Sequence, residues 1–305
     1  MPDLKRLSGL IAAPHTPFDT TGDVALDVIP RQATHLIDQG ITGAFVCGTT
    51  GEGASLTVAE RCAVTERWVS AAGADLKIIA HVGHTSLGDA RTLALHAGSC
   101  GAWATSAVAP FYFKPPAVHD LTKHCAEIAS AAPHIPFYYY HSPGMTGVNL
   151  SPTNFLADAA DKIPNLAGIK FNDGDLFQYQ RCLAFDNGRF DIPFGVDEAL
   201  IGGLAAGATS AVGSTYNYAA PIYLELIDAF HRGDMHTARS ASQQAVRIVE
   251  LLIEFGPVAA GKAIMSLHGI DCGSPRSPFS PLAPNTKANL LAAVTEIGLA
   301  TPAYA

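Results

Sequence analysis

Charge is scarce in this sequence, and positive charge most of all. Of 305 residues only 15% are charged, with 19 Lys and Arg against 27 Asp and Glu and a formal net charge of −8. That balance, with a pI near 5.8, disfavours binding of nucleic acid or anionic membranes as the main activity. No apolar run approaches the length of a membrane span. The opening Met-Pro-Asp-Leu-Lys-Arg has no apolar stretch of the signal-peptide kind. Six cysteines (Cys47, Cys62, Cys100, Cys125, Cys182 and Cys272) form no C-x-x-C pair, and several read as small apolar fillers. The expectation is a reduced, cytoplasmic protein without membrane contact. A linker of low complexity and a short internal repeat are also missing.

What is present is apolar residue, 48% of the chain, arranged in short runs that alternate with longer amphipathic stretches. The runs lie at 10–13, 43–47, 78–82, 102–109, 137–140, 166–170, 192–196 and 209–212. Helix-like segments follow them near 27–39, 57–72, 86–100, 117–131, 151–162, 175–184, 197–207 and 218–232. Thr57-x-x-Glu60 reads as a capping box, and Ser151–Pro152 as an N-cap with proline in the first turn. Gly40, Gly207 and Gly233 stand where helices should stop. The runs are apolar throughout, as in strands covered on both faces. Eight strands, each followed by a helix, predict an α/β fold: a (β/α)8 barrel over 1–232. Further helices at 234–255, 258–269 and 284–299 form a C-terminal extension over 233–305, packed on the barrel as one unit. An open doubly wound sheet fits less well, because its dinucleotide glycine fingerprint is missing.

In such a barrel chemistry sits at the C-terminal strand ends. Lys170 ends the run Leu166-Ala-Gly-Ile, just before the polar turn Asn172-Asp-Gly-Asp175. Burial there disfavours the ammonium and leaves an amine able to attack a carbonyl. The alternative is a packed stem whose head reaches water. Gly48-Thr-Thr-Gly-Glu-Gly53 offers two hydroxyls and open backbone N–H groups that suit a carboxylate, or forms an ordinary tight turn. Tyr138-Tyr-Tyr140 points Tyr138 and Tyr140 one way and Tyr139 the other. A phenol at the strand tip can pass a proton, or merely pack. Gly256-x-x-x-x-Gly261–Lys262 imitates a phosphate loop but has Ala263 where Ser or Thr is needed, and it follows a helix. His15, His81, His84 and His141 match zinc spacings poorly, so structural histidines and no metal are expected.

Taken together, these segments resemble the dihydrodipicolinate synthase/N-acetylneuraminate lyase family of class I pyruvate-dependent aldolases. The resemblance runs over nearly the whole chain. It includes Gly48-Thr-Thr-Gly-Glu52, Pro110-Phe-Tyr112, Tyr138-Tyr-Tyr-His141 with Pro143, Gly168-Ile-Lys170, Gly195-Val-Asp-Glu198 and Gly213-Ser-Thr-Tyr-Asn217. Within the family the likeness is to the N-acetylneuraminate lyase branch. It implies an imine at Lys170, proton transfer by Tyr140, and carboxylate binding by Thr49 and Thr50. It further implies that Asp197, Glu198 and Ser214, with the backbone at Gly195, hold a polyhydroxylated tail. Asn172 lies where bacterial lyases have a threonine, which leaves its role open. Met145 stands where the synthase branch has an arginine for a second carboxylate, which speaks against a diacid product. Reversible cleavage of N-acetylneuraminate to N-acetylmannosamine and pyruvate follows from the resemblance. The rival readings are a lyase or dehydratase for another 2-keto-3-deoxy sugar acid and, further off, a dihydrodipicolinate synthase. No cofactor beyond the covalent imine is implied. The partners expected are the small-molecule substrate and three further copies in a homotetramer.

Overall fold

Val, Ile, Ala and aromatic residues dominate the short runs, and seven of the eight become buried parallel strands. The computed structural model describes residues 6–299. The strands are β1 (Gly9–Ala12), β2 (Gly43–Val46), β3 (Lys77–His81), β4 (Ala104–Val108), β5 (Phe137–His141), β6 (Leu166–Phe171) and β7 (Ser210–Gly213). They form one sheet in the order β6-β5-β4-β3-β2-β1-β7. Around it lie α1 (Ile29–Asp38), α2 (Val58–Ala72), α3 (Leu87–Cys100), α4 (Val118–Ala129), α5 (Pro143–Thr146), α6 (Pro152–Ala159), α7 (Leu176–Ala184), α8 (Leu200–Ala206) and α9 (Ala220–His231). Then come α10 (Met235–Phe255), α11 (Pro257–Met265) and α12 (Pro284–Glu296). None of these helices is long and apolar enough to cross a membrane.

Helix starts follow local chemistry. The Thr57 side chain accepts from the Glu60 backbone N–H, while the Glu60 carboxylate accepts from the Thr57 N–H. Ser151 caps α6, with Pro152 at its first position. Caps of this kind are worth about 1 kcal/mol each.

The eighth stave expected at 192–196 lacks a continuous ladder. Residues 191–195 instead bridge β6 and β7 by separate backbone bonds. Ile169 N donates to Asp191 O at 3.0 Å, Phe171 N to Pro193 O at 2.9 Å and Val212 N to Phe194 O at 2.8 Å. Pro193 has no N–H to contribute, which is why the ladder stays broken there. The barrel nevertheless closes. Gly168 makes the approach possible, since a Cβ at that position would lie 1.7 Å from the Asp191 carbonyl oxygen.

Two apolar layers result. The barrel interior packs Ile11, Phe45, Ile79, Tyr138, Tyr140 and Val212, while Tyr139 lies in the layer between strands and helices. The alternation read from the three tyrosines is the one observed. β6 carries an irregularity against β5: Phe137 pairs Leu166, but Tyr138 pairs Gly168. The extra residue, Ala167, brings Lys170 into register with Tyr140. Beyond the barrel, α10 packs along α9 and against the 3-10 turn Asp197–Ala199, and α11 and α12 pack on α10.

Candidate active site

Lys170 and Tyr140 are register partners on neighbouring strands, and both are buried, at 5% and 4% exposure. Lys170 Nζ lies 4.1 Å from the centre of the Tyr140 ring and 4.0 Å from that of Phe45. The nitrogen is thus held between two aromatic faces. The amine therefore sits in the barrel mouth, where a carbonyl can reach it.

The loop after β2 brings its hydroxyls to the same place. Thr49 Oγ1 lies 3.4 Å from the Tyr140 phenol oxygen. Cys47 and Glu52 bracket the loop with left-handed backbone, φ +57° and +52°. Such conformations cost of order 1 kcal/mol for non-glycine residues and persist only where surroundings hold them. Part of the hold comes from Thr16, whose Oγ1 donates to Gly51 O at 2.6 Å.

One cavity of about 290 Å3 is lined by Thr49, Thr50, Tyr140, Lys170, Asn172, Gly195, Asp197, Glu198 and Ser214. All nine residues singled out from the sequence meet there. Asn172 donates through Nδ2 to Ser142 Oγ at 3.4 Å. Asp197 is 7% exposed, and its Oδ2 accepts from the Thr215 backbone N–H at 2.9 Å and from the Thr215 hydroxyl at 2.6 Å. Burial raises its carboxyl to about 6, against the lowering by Thr215 and Lys170. Gly213 lets this happen: a Cβ there would stand 2.1 Å from Asp197 Oδ1.

Several contributors were not legible in the sequence. Phe45 lies under the lysine. Thr215 and, behind it, the Tyr223 phenol at 2.8 Å fix Asp197. Val249, Leu252 and Ile253 of α10, with Pro257 and Val258, give the cavity an apolar wall beside its acidic one. Only the quoted segment Gly213-Ser-Thr-Tyr-Asn217 pointed to any of them. The histidines scatter. His81 is buried with its pKa pushed well below 6.5, by burial first and then by Arg61 and Lys170. His15 is lowered to about 3, again mainly by burial. Among the described residues no three His, Cys, Asp or Glu side chains gather as a metal site would need.

A closed barrel whose strand tips join a buried lysine, a phenol and a hydroxyl loop is built as a carbonyl-capturing enzyme of the aldolase class. The Dihydrodipicolinate synthetase family matches residues 6–297, and the chain belongs to that family. A pig (Sus scrofa) protein, N-acetylneuraminate lyase, is 41% identical over 280 residues, covering 90% of this chain and 88% of the relative. The solved Proteus mirabilis N-acetylneuraminate lyase is 50% identical with a TM-score of 0.95, covering 97% of this chain and all of that one. The solved N-acetylneuraminate lyase (sialic acid aldolase) of Aliivibrio salmonicida is also 50% identical, with a TM-score of 0.96 and coverage of 97% and 99%.

Proposed function

We propose that this protein is a Schiff-base aldolase that cleaves N-acetylneuraminate reversibly to N-acetylmannosamine and pyruvate. The observation that carries it is the buried Lys170 amine beside the Tyr140 phenol, in one cavity with Thr49, Thr50, Asp197, Glu198 and Ser214. Relatives bearing that activity in their names over most of the chain support it. Lys170 Nζ attacks the C2 ketone carbon, and water leaves to give a protonated imine. That imine is an electron sink. Tyr140 gives its phenol proton to the departing water, and the resulting phenolate takes the proton of the 4-hydroxyl as the C3–C4 electron pair moves toward the imine and the aldehyde sugar departs. The remaining enamine takes a proton at C3, and water hydrolyses pyruvate off the lysine. Thr49 and Thr50 hold the carboxylate next to the reacting ketone. Asp197, Glu198, Ser214 and the Gly195 backbone take the sugar hydroxyls, while Asn172 sits near the bond that breaks.

The chemistry needs no resident metal or organic cofactor, so chelation should leave turnover unchanged. Borohydride reduction with pyruvate should label Lys170 alone. Lys170→Ala should lose the label and lower turnover by at least about 10³-fold. Label on another lysine, or none, would overturn the proposal. A second substrate, another 2-keto-3-deoxy sugar acid, would use the same wall of hydroxyl and acidic groups. A panel compared by kcat/KM separates the two. Dihydrodipicolinate synthase activity is disfavoured by the thioether of Met145, which lines the cavity where a second carboxylate would need a cation.

The proposal extends to a homotetramer in the cytoplasm. Exposed Phe111, Tyr112, Phe113 and Phe279 suit subunit contacts, and all six cysteines are free thiols. Light scattering should give four times the 31.9 kDa chain mass.

A further inference from the structure

The false phosphate loop of α11 turns out to lie directly behind the hydroxyl loop. Lys262 Nζ is 2.7 Å from Glu52 Oε1, and the two side chains are 1% and 0% exposed. Glu52 is itself the last member of the Gly48-Thr-Thr-Gly-Glu segment. Its backbone N–H donates to Thr49 O at 3.0 Å, and that of Gly53 to Gly48 O at 3.0 Å. Its other carboxylate oxygen accepts from the Arg276 N–H at 2.7 Å. Lys262 also donates to Ser274 O at 3.2 Å and lies 4.0 Å from the centre of the Phe18 ring. Gly261 completes the fit, because a Cβ there would come within 2.4 Å of His15 Nε2. A left-handed Glu52 needs such an outside hold. The chain turns there at φ +52° with no glycine to ease it.

We propose, on the carboxylate role assigned above to Thr49 and Thr50, that Lys262 is a positioning residue of the reaction: its buried ion pair with Glu52 sets the loop that receives the substrate carboxylate. The Gly261–Lys262 pair thus serves an anion site without touching the anion. Removing Lys262 alone strands a buried carboxylate, so loss of folding would be uninformative. The double variant Glu52→Gln/Lys262→Met removes both charges and keeps the shapes.

The test reduces the Lys170 imine with borohydride across a range of pyruvate concentrations, and in parallel across a range of acetone, which has no carboxylate. In the double variant half-saturation by pyruvate should rise about tenfold, with maximal trapping retained. Acetone trapping should change less than about twofold, because it does not use the loop. Lys262→Arg, which keeps the charge, should return pyruvate half-saturation to within about threefold of the parent. If the double variant does not fold, Glu52→Gln alone, which removes the ion pair and keeps the shape, stands in with the same pyruvate-selective rise expected. Equal loss with both ketones, or no loss with either, would overturn the positioning role. Failure of the unaltered protein to trap pyruvate at all would instead overturn the aldolase proposal.

Discussion

Asp197 has the most informative environment of any single residue in the cavity wall. Its carboxyl is raised from 3.8 to about 6, so the folded protein holds this proton over a range where the unfolded chain has lost it. Conformational stability therefore falls as pH rises through that window, a cost accepted at a site that needs an acceptor above it. For the proposed reaction, kcat/KM for the sugar acid should rise through about pH 6 and then level off, as Asp197 becomes a full acceptor for hydroxyls. Asp197→Asn should flatten that rise and lower kcat/KM by roughly 10–100-fold, with pyruvate trapping little changed. A pH series on the two proteins checks it. Lys170, Tyr140, Thr49 and Thr50 were legible because strand ends and polar turns mark them in one dimension. Phe45 was not, because nothing local separates a pocket aromatic from any other buried one, and Thr215 showed only as a strand-end hydroxyl, without its bond to Asp197.

At the scale of elements, capping and periodicity carried most of the information. Thr57 and Ser151 start helices where their side chains can satisfy the first backbone N–H groups. The irregularity at Ala167 was invisible, and it matters. Leu166 faces the helices, so strict alternation would send Lys170 outward with it. The extra residue reverses the phase and turns the amine into the barrel. The C-terminal helices were legible as amphipathic segments, but their docking partners were not. One such tie is testable. Arg276 N–H groups engage Glu60 at the start of α2, with Nη2 2.5 Å from Oε1, and pull the Glu60 carboxyl down to about 2. A lowered carboxyl stabilises fully above the ordinary value of 4.5 and loses that effect as pH falls toward 2. Arg276→Gln should lower stability by about 1 kcal/mol at neutral pH. Urea unfolding of both proteins should show the gap narrowing from 4.5 downward.

For the whole molecule, alternation of apolar runs with amphipathic stretches sufficed to foresee a closed parallel barrel. It did not foresee that one stave would lack a ladder, although Pro193 inside the run was the signal for it. The helical extension shares the cavity wall with the barrel through Val249, Leu252 and Ile253. We propose that the two fold as one unit. Thermal unfolding followed by helix circular dichroism and by imine-trapping competence should give a single coincident transition. Two separated transitions would show an extension that melts on its own.

The broken stave has a consequence for how the protein breathes. Residues 191–195 are joined to their neighbours by bonds interrupted at Pro193, and Gly195, with the adjoining Asp197 and Glu198, lines the cavity. The irregular join of the cylinder thus coincides with the place proposed to receive the sugar tail. Amide deuterium uptake over 191–195 as a segment should outpace that of β2 through β5 in the empty protein, because the gap at Pro193 lets the stave open as a unit. Pyruvate alone, bound at the opposite end, should leave this seam loose, whereas a full-length sugar acid should stitch it shut.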